Sequence, residues 1–297
     1  MSRWNVKGKV VLITGAARGI GAGLARRMAA RGAKVALVGL EPDQLKRVAA
    51  ECGPDAAWWE TDVTSWEALE KTVGEVVQHF GGIDVVVANA GIAATGFTRS
   101  IDRASFERVI EVDLLGVWRT VRVCLPQLIE RRGYALIVSS LAAIVHIPGN
   151  AAYSAAKAGV EAFANSLRAE VRHLGVSVGV AHPTWIATDM VNSVDKHPVF
   201  GALRTGTPGL LSKTYPLSVA VDLLEEGIGK RSRAIHVPGW TGVLKLFRAL
   251  LPRVVELGSR SFLPAADKAA IEDIAERGEQ EASIVGPGGR ADLESRG

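Results

Sequence analysis

Tyr153 and Lys157 stand four residues apart within residues 140–157, SLAAIVHIPGNAAYSAAK. On a helix that spacing is one turn, so both side chains leave the same face. A tyrosine hydroxyl ordinarily loses its proton near pH ~10. An ammonium a few ångströms away favours the phenolate and draws that value toward working pH. Ser140 lies just after the β-rich run at 135–139. A hydroxyl at a strand end can hydrogen-bond an oxygen held by the tyrosine. The chemistry suggested is proton transfer to or from an alcohol or a carbonyl. A Tyr-x-x-x-Lys pair also occurs on ordinary surface helices, so the reading depends on what else the chain carries.

The N-terminal stretch supplies the second half. Residues 9–14, KVVLIT, form a short β-branched run that reads as a buried strand. It enters Gly15-Ala16-Ala17-Arg18-Gly19-Ile20-Gly21, and a helical pattern follows and closes at Gly32. A strand, a glycine turn and a helix open a dinucleotide-binding unit. Glycines let backbone approach a pyrophosphate, and the helix N-terminus offers unpaired N–H groups. The second strand, 34–38, ends at Gly39, where an acid would meet the adenosine ribose. Glu41, two residues on, either reaches that ribose or serves the next helix dipole. Arg18 could meet a 2′-phosphate from the glycine turn. The reading inclines to NADP over NAD.

Further along, Asp62 and Val63 follow a third strand at 56–61; Asp62 could accept from an adenine amino group or cap a loop. Ser65 caps a helix over 66–80. A fourth strand at 84–88 ends in Asn89-Ala90-Gly91. Ligands in such sheets bind beyond the carboxyl ends of strands, so this triplet faces the cofactor crevice. Asn89 could equally bridge neighbouring strands. A long helical pattern over 104–131 contains Asp113. The helix bearing Tyr153 and Lys157 continues to about residue 173, strands follow at 177–181 and 234–237, and 217–229 is helical. Strands alternating with helices imply an α/β, doubly wound parallel sheet, a Rossmann fold of about seven strands.

Composition bounds the remaining choices. The chain has 297 residues, 48% hydrophobic and 22% charged, enough for one large domain with a sizeable core. Net charge is +4, which suits anionic ligands without requiring nucleic acid. Basic residues are scattered rather than interleaved with aromatics, so a nucleic-acid binder is disfavoured. Cys52 and Cys124 form neither metal spacing nor a disulfide framework, so no metal site is expected. No apolar signal core precedes the first strand and no long apolar run exists, so a cytoplasmic location is expected, with membrane association through the C-terminal region as an option.

These motifs, in this order and at these distances, resemble the short-chain dehydrogenase/reductase family over residues 6–239. The resemblance rests on TGAARGIG at 14–21, Asp62-Val63, Asn89-Ala90-Gly91, Ser140, Tyr153 with Lys157, and Pro183 with Thr188. It implies an NAD(P)-dependent alcohol dehydrogenase or carbonyl reductase. Tyr153 would be the general acid/base. Lys157 would lower its pKa and hold the nicotinamide ribose, and Ser140 would position the substrate oxygen. Gly15, Gly19 and Gly21 would line the pyrophosphate turn with Arg18 and Ile20. Asp62 and Val63 would face adenine. Asn89, Ala90 and Gly91 would lie beside the cofactor, and Pro183, Ile186 and Thr188 beside the nicotinamide. The family usually places an asparagine, part of a water-linked proton relay, where this chain has Asp113. A carboxylate there could hold the water or pair with Lys157. Thr184 after Pro183 replaces the usual glycine. A homo-oligomer, dimer or tetramer, is implied. A non-catalytic nucleotide-binding scaffold or sensor on the same fold is the alternative.

Residues 1–239 thus read as the catalytic domain, with an irregular lid at 189–216. Residues 240–276 read as a helical extension. Apolar residues at 240, 243, 247, 250, 254 and 257 form one stripe, Lys245, Arg248 and Arg253 lie off it, and Pro252 should split the helix. Such a stripe packs on its own domain, on a second subunit, or on an anionic membrane. It would also suit a hydrophobic substrate near the lid. Residues 277–297 are polar and glycine-rich, which predicts disorder.

Overall fold

Runs of valine, leucine and isoleucine too short for stable helices become the strands of one sheet. The computed structural model describes residues 4–205 and 209–295. In chain order the elements are β1 (Val10–Thr14), α1 (Gly19–Ala30), β2 (Lys34–Gly39), α2 (Pro42–Cys52), β3 (Ala56–Glu60), α3 (Trp66–Phe80), β4 (Val85–Ala88) and a short β5 (Ala93–Ala94). Next come α4 (Arg103–Ile110), α5 (Val117–Glu130), β6 (Tyr134–Val138), α6 (Ala151–Val171), β7 (Ser177–Pro183), α7 (Asp189–Asp195), α8 (Phe200–Thr205), α9 (Leu217–Lys230) and β8 (Ala234–Val237). The C-terminal part forms α10 (Gly242–Leu246), α11 (Leu251–Ser259), α12 (Leu263–Arg277), α13 (Glu279–Ser283), β9 (Ile284–Val285) and α14 (Gly286–Glu294).

The main sheet runs β3-β2-β1-β4-β6-β7-β8, and every pairing in it is parallel. Strand order reverses between β1 and β4, and a crevice opens at the carboxyl ends of the strands there. Buried residues of β1, β2, β4 and β6 pack helices on both faces, which is why these strands read as unbroken apolar runs rather than alternating ones. The expected Ser65 cap is present, accepting from Ala68 N–H at 3.1 Å.

Three expectations are corrected. The helix expected over 104–131 is interrupted by a π-helical segment, Glu111–Gly116, which inserts an extra residue per turn at Asp113. The segment 189–216 is not wholly irregular. Extended Thr188 precedes α7, which buries Val191 and Val194, and α8 follows; residues 206–208 lie outside the described residues. The C-terminal stretch, expected to be disordered from 277, is folded through residue 294. Ala282, Ser283, Val285 and Asp292 are buried, because backbone pairing and an ion pair replace the apolar area that the composition lacks.

Pro252 does separate α10 from α11. The stripe, however, packs on its own domain only at Trp240. Lys245 and Arg248 turn inward to Glu161, while Val243, Leu246, Phe247, Leu250, Val254 and Leu257 are exposed. No helix among the described residues is long and apolar enough to cross a membrane.

Candidate active site

The glycine turn is built for close approach. Gly15 and Gly19 have φ of +64° and +53°, a region that favours glycine. A Cβ on Gly21 would lie 2.2 Å from the Gly15 carbonyl oxygen and 2.7 Å from Asn89 Nδ2, so helix and turn meet with no room for a side chain. Asn89 takes its strand-bridging role: its amide donates to the carbonyls of Thr14 at 2.9 Å and Gly15 at 3.2 Å. Its backbone N–H donates to Thr14 Oγ1. The residue thereby ties the end of β4 to the turn after β1. This leaves a cradle at the switch point of the sheet, with α1 starting at its rim, and such a cradle fits a pyrophosphate.

α6 carries the reactive groups. Its alanine-rich first turns favour helix, and Tyr153, Lys157 and Glu161 follow at one-turn intervals. Ser140 begins a short 3₁₀ turn after β6; its hydroxyl accepts from Ala142 N–H, donates to the Pro183 carbonyl at 3.4 Å, and lies near enough to Tyr153 to favour the phenolate. Lys157 Nζ lies 5.4 Å from the centre of the Tyr153 ring. It also pairs with Asp113 Oδ2 at 3.0 Å and donates to the Val138 carbonyl at 3.3 Å. Asp113 Oδ1 accepts from Ile92 N–H at 2.8 Å. A Cβ on Gly91 would sit 2.8 Å from Asp113 Oδ2, so this glycine lets the carboxylate and the ammonium meet.

The electrostatics follow from burial. Desolvation alone would lower the Lys157 ammonium, but Asp113 and then Tyr153 outweigh it and hold it above its ordinary value. Lys157 therefore stays a cation. Burial pushes the Tyr153 hydroxyl up; Lys157 pulls it down, Asp113 raises it, and Ser140 lowers it, with a net upward shift. The expected pull from Lys157 is present, yet it is opposed by a carboxylate that an asparagine would not supply.

At the adenosine end the two sequence candidates meet each other. Arg18 donates from Nη2 and, at 2.8 Å, from Nε to the Glu41 carboxylate, and from Nη1 to Asp189 at 2.9 Å. Arg18 is thus held between two acids rather than open to a phosphate, and the Glu41 hydrogen bonds, the leading cause, hold it above its ordinary value. Asp62 accepts from Thr64 N–H and Oγ1, each at 2.8 Å, and from Arg108 Nη2 at 3.0 Å. Val63 is buried against Leu69 and Val112. Ile20 and Ala90 are half-buried beside the turn, Ile186 and Pro183 are buried, and Thr188 Oγ1 donates to the Ile186 carbonyl at 3.2 Å.

Gly15, Gly19, Arg18, Glu41, Asp62, Asn89, Asp113, Ser140, Tyr153 and Lys157 border one cavity of about 850 Å³, while Gly21 and Arg108 stand behind its wall. The cavity runs from Gly15, Glu41 and Asp62 past Tyr153 to an apolar end formed by Ile147, Leu203, Val255 and Phe262. Sequence reasoning missed several contributors. Ser139 Oγ donates to the Lys157 carbonyl at 2.7 Å, steadying the helix turn that carries the lysine. Arg108 and the wall formed by residues 285–292 had no local signal at all. Among the described residues no cluster of side chains could hold a metal ion.

Comparison with known proteins agrees with this geometry. A family model described as short chain dehydrogenase matches residues 9–198. The chain is 30% identical to the 3-oxoacyl-[acyl-carrier-protein] reductase FabG of Escherichia coli over 238 residues, covering 79% of this chain and 98% of that one. It is 31% identical to the 11-beta-hydroxysteroid dehydrogenase-like 2 of Arabidopsis thaliana, over 85% of this chain and 80% of that one. The solved alcohol dehydrogenase of the archaeon Thermococcus sibiricus, complexed with 5-hydroxy-NADP, superposes with a TM-score of 0.64 at 29% identity, covering 73% of this chain and 88% of that one. With a family match over most of the domain and these reactive side chains in one crevice, the chain belongs to the short-chain dehydrogenase family of oxidoreductases.

Proposed function

We propose that the protein is an NAD(P)-dependent carbonyl reductase or alcohol dehydrogenase acting on a hydrophobic substrate. The observation that carries this reading is the Ser140–Tyr153–Lys157 cluster, which borders the same cavity as the glycine cradle. The cradle at Gly15, Gly19 and Gly21 would hold the pyrophosphate, Asp62 would face adenine, and Lys157 and Thr188 would lie at the nicotinamide half. The bound nicotinamide supplies or accepts the hydride. The protein does the rest. Ser140 and Tyr153 hold the substrate oxygen between two hydroxyls. Tyr153, raised by burial, is neutral at neutral pH and so stands ready to donate its proton to a developing alkoxide. Lys157 stabilises the phenolate left behind, and Asp113 keeps Lys157 charged. This sequence favours reduction near neutrality and alcohol oxidation at higher pH, where the tyrosine can act as a base.

The apolar end of the cavity supports a bulky apolar substrate, and the two named relatives, an oxoacyl-carrier-protein reductase and a hydroxysteroid dehydrogenase-like protein, point the same way. The 2′ position of the cofactor is read at Arg18. To grip a 2′-phosphate, Arg18 must release Glu41, whose carboxylate would repel that phosphate. Titration with NADH and NADPH, on wild type, Arg18→Ala and Glu41→Gln, tests this. NADP use requires Glu41→Gln to strengthen NADPH binding and Arg18→Ala to weaken it; the converse pattern assigns NAD. Tyr153→Phe should lower turnover of ketone substrates by about 10²–10⁴-fold while leaving dinucleotide binding in place. Unchanged turnover would overturn the enzymatic reading.

The homo-oligomer implied by the resemblance finds support on α5. Trp118 and Trp66 stack edge to face at 5.1 Å on the surface, and both are exposed. Aromatic pairs of this kind suit an isologous contact between copies. Trp118→Glu should then reduce the mass measured by light scattering.

A further inference from the structure

Residues 279–294 cross the crevice that the proposed function assigns to a dinucleotide. On one side β9 pairs antiparallel with β5, directly after Asn89-Ala90-Gly91: Val285 opposes Ala93 and Ile284 opposes Ala94. Thr95 N–H donates to the Ser283 carbonyl at 2.9 Å, and Asp102 N–H donates to Ser283 Oγ at 3.1 Å. On the other side α14 packs against α7 of the lid. Gly286, at φ +76°, lies so close to that helix that a Cβ there would touch the Met190 backbone at 3.4 Å. Val285, Ala93 and Val194 form a small buried cluster against which Tyr153 and Met190 pack. The segment therefore joins the floor of the crevice to its lid, and residues 285–289 line the cavity from above.

Its far end is fastened by charge. Asp292, 2% exposed, receives Arg108 Nε at 2.9 Å and Nη2 at 2.6 Å. The same guanidinium reaches Asp62 Oδ2 at 3.0 Å and Thr64 Oγ1 at 3.0 Å. One arginine thus links the C-terminal segment to the aspartate at the adenosine end. Besides the latch, the β9–β5 pairing, the Ser283 hydrogen bonds and a 2.9 Å contact between His197 Nε2 and the Ala282 carbonyl hold the segment, but its apolar anchoring is slight. Ile284, Val285 and Leu293 are its only large apolar residues. Gly278 at φ +83° and Gly286 stand where it leaves α12 and where α14 begins. Few apolar contacts and glycine hinges mark a unit that opens well below the free energy of global unfolding.

We propose that residues 279–294 are a clasp over the dinucleotide crevice, latched by Arg108 between Asp62 and Asp292. The inference rests on the dinucleotide reading above. In the closed state the segment adds a wall to the cavity without filling it, since about 850 Å³ remains beneath it. A dinucleotide under that wall favours closure, and by linkage closure favours the dinucleotide. Entry and exit both wait on opening.

The test is stopped-flow measurement of NADH and NADPH entry and release on the full-length protein, wild type against Asp292→Ala. A gate slows both directions, so unlatching it should speed both entry and release, release more than entry by on the order of tenfold, the usual scale of coupling between sites, because the open state also binds the dinucleotide less tightly. Unchanged rates overturn the clasp. Faster release with unchanged entry also overturns it, because that is the signature of a simple contact. Faster entry with unchanged release overturns it in favour of a plug. Hydrogen exchange on the wild type needs no variant: saturating dinucleotide should slow exchange of amides in residues 279–294, and unaltered exchange there overturns the proposal. Wild type that binds neither dinucleotide removes the reading on which the clasp depends, whereas binding that ignores Asp292→Ala removes the clasp alone.

Discussion

Lys157 and Glu161 stand one turn apart on α6, and both are buried, at 3% and 1% exposure. Their surroundings are opposite in design. Lys157 meets one carboxylate, Asp113, which is itself fully buried and held by the Ile92 N–H. Glu161 meets Lys245 at 2.5 Å, Arg248 at 3.1 Å and His182 at 3.5 Å, and both basic residues come from the C-terminal extension and keep contact with solvent. The first arrangement is closed, with each charge depending on the other. The second is an anchor, in which one buried anion collects cations that can still reach water. One helix therefore serves the chemistry with one residue and fastens the extension with the next. That division explains why Lys245 and Arg248 point inward while the apolar stripe between them faces out.

The contrast makes graded predictions. The largest effect is expected from Asp113→Leu. It strands an ammonium that cannot reach water, and urea unfolding should show a loss of about 3–5 kcal/mol. Glu161→Leu should cost less, about 1–3 kcal/mol, because Lys245 and Arg248 can turn to solvent. Its distinctive result is faster proteolysis within residues 240–277. Equal costs for the two variants would break the comparison.

Acid should act next, within the Glu161 anchor. Burial lowers His236, as do His182, stacked on it at 5.0 Å, and Lys245, to about 4. A depressed folded value means its contribution is present above its ordinary value of 6.5 and is lost as pH falls through about 4. Burial would raise Glu161, but His182 and Lys245 outweigh it and hold it at about 2, so its contribution is present above 4.5 and lost as pH falls through about 2. Melting followed from pH 7 to pH 2 should show His236→Asn flattening the upper window and Glu161→Gln the lower one.

The smallest effect on stability is expected from Asp113→Asn, which keeps a polar partner for Lys157. It removes a charge that raises Tyr153, so the basic limb of the pH profile for alcohol oxidation should move to lower pH. A limb that stays in place would show that Asp113 acts only through packing.

The parts of this protein legible in its sequence are those built from local pattern. The buried strands announce themselves as β-branched runs, Ser65 as a cap, the Tyr153–Lys157 turn by its spacing, and the glycine turn by its place between strand and helix. Asp113 was visible as a departure, but not the π-helical turn that swings it onto Lys157. Arg18 and Glu41 were each singled out, yet their mutual pairing needed β1 and β2 to lie side by side. Arg108 shows the limit most plainly, since its partner Asp292 lies 184 residues away.

The sequence alone determined the sheet, the crevice at its switch point and the identity of the reactive side chains, because helix and strand periodicity and glycine geometry act over a few residues. The tertiary structure decided which charges pair, which face of the extension turns outward, and that a polar, glycine-rich C-terminal segment is ordered. Those outcomes depend on burial and on partners distant in the chain, and neither is encoded in local spacing.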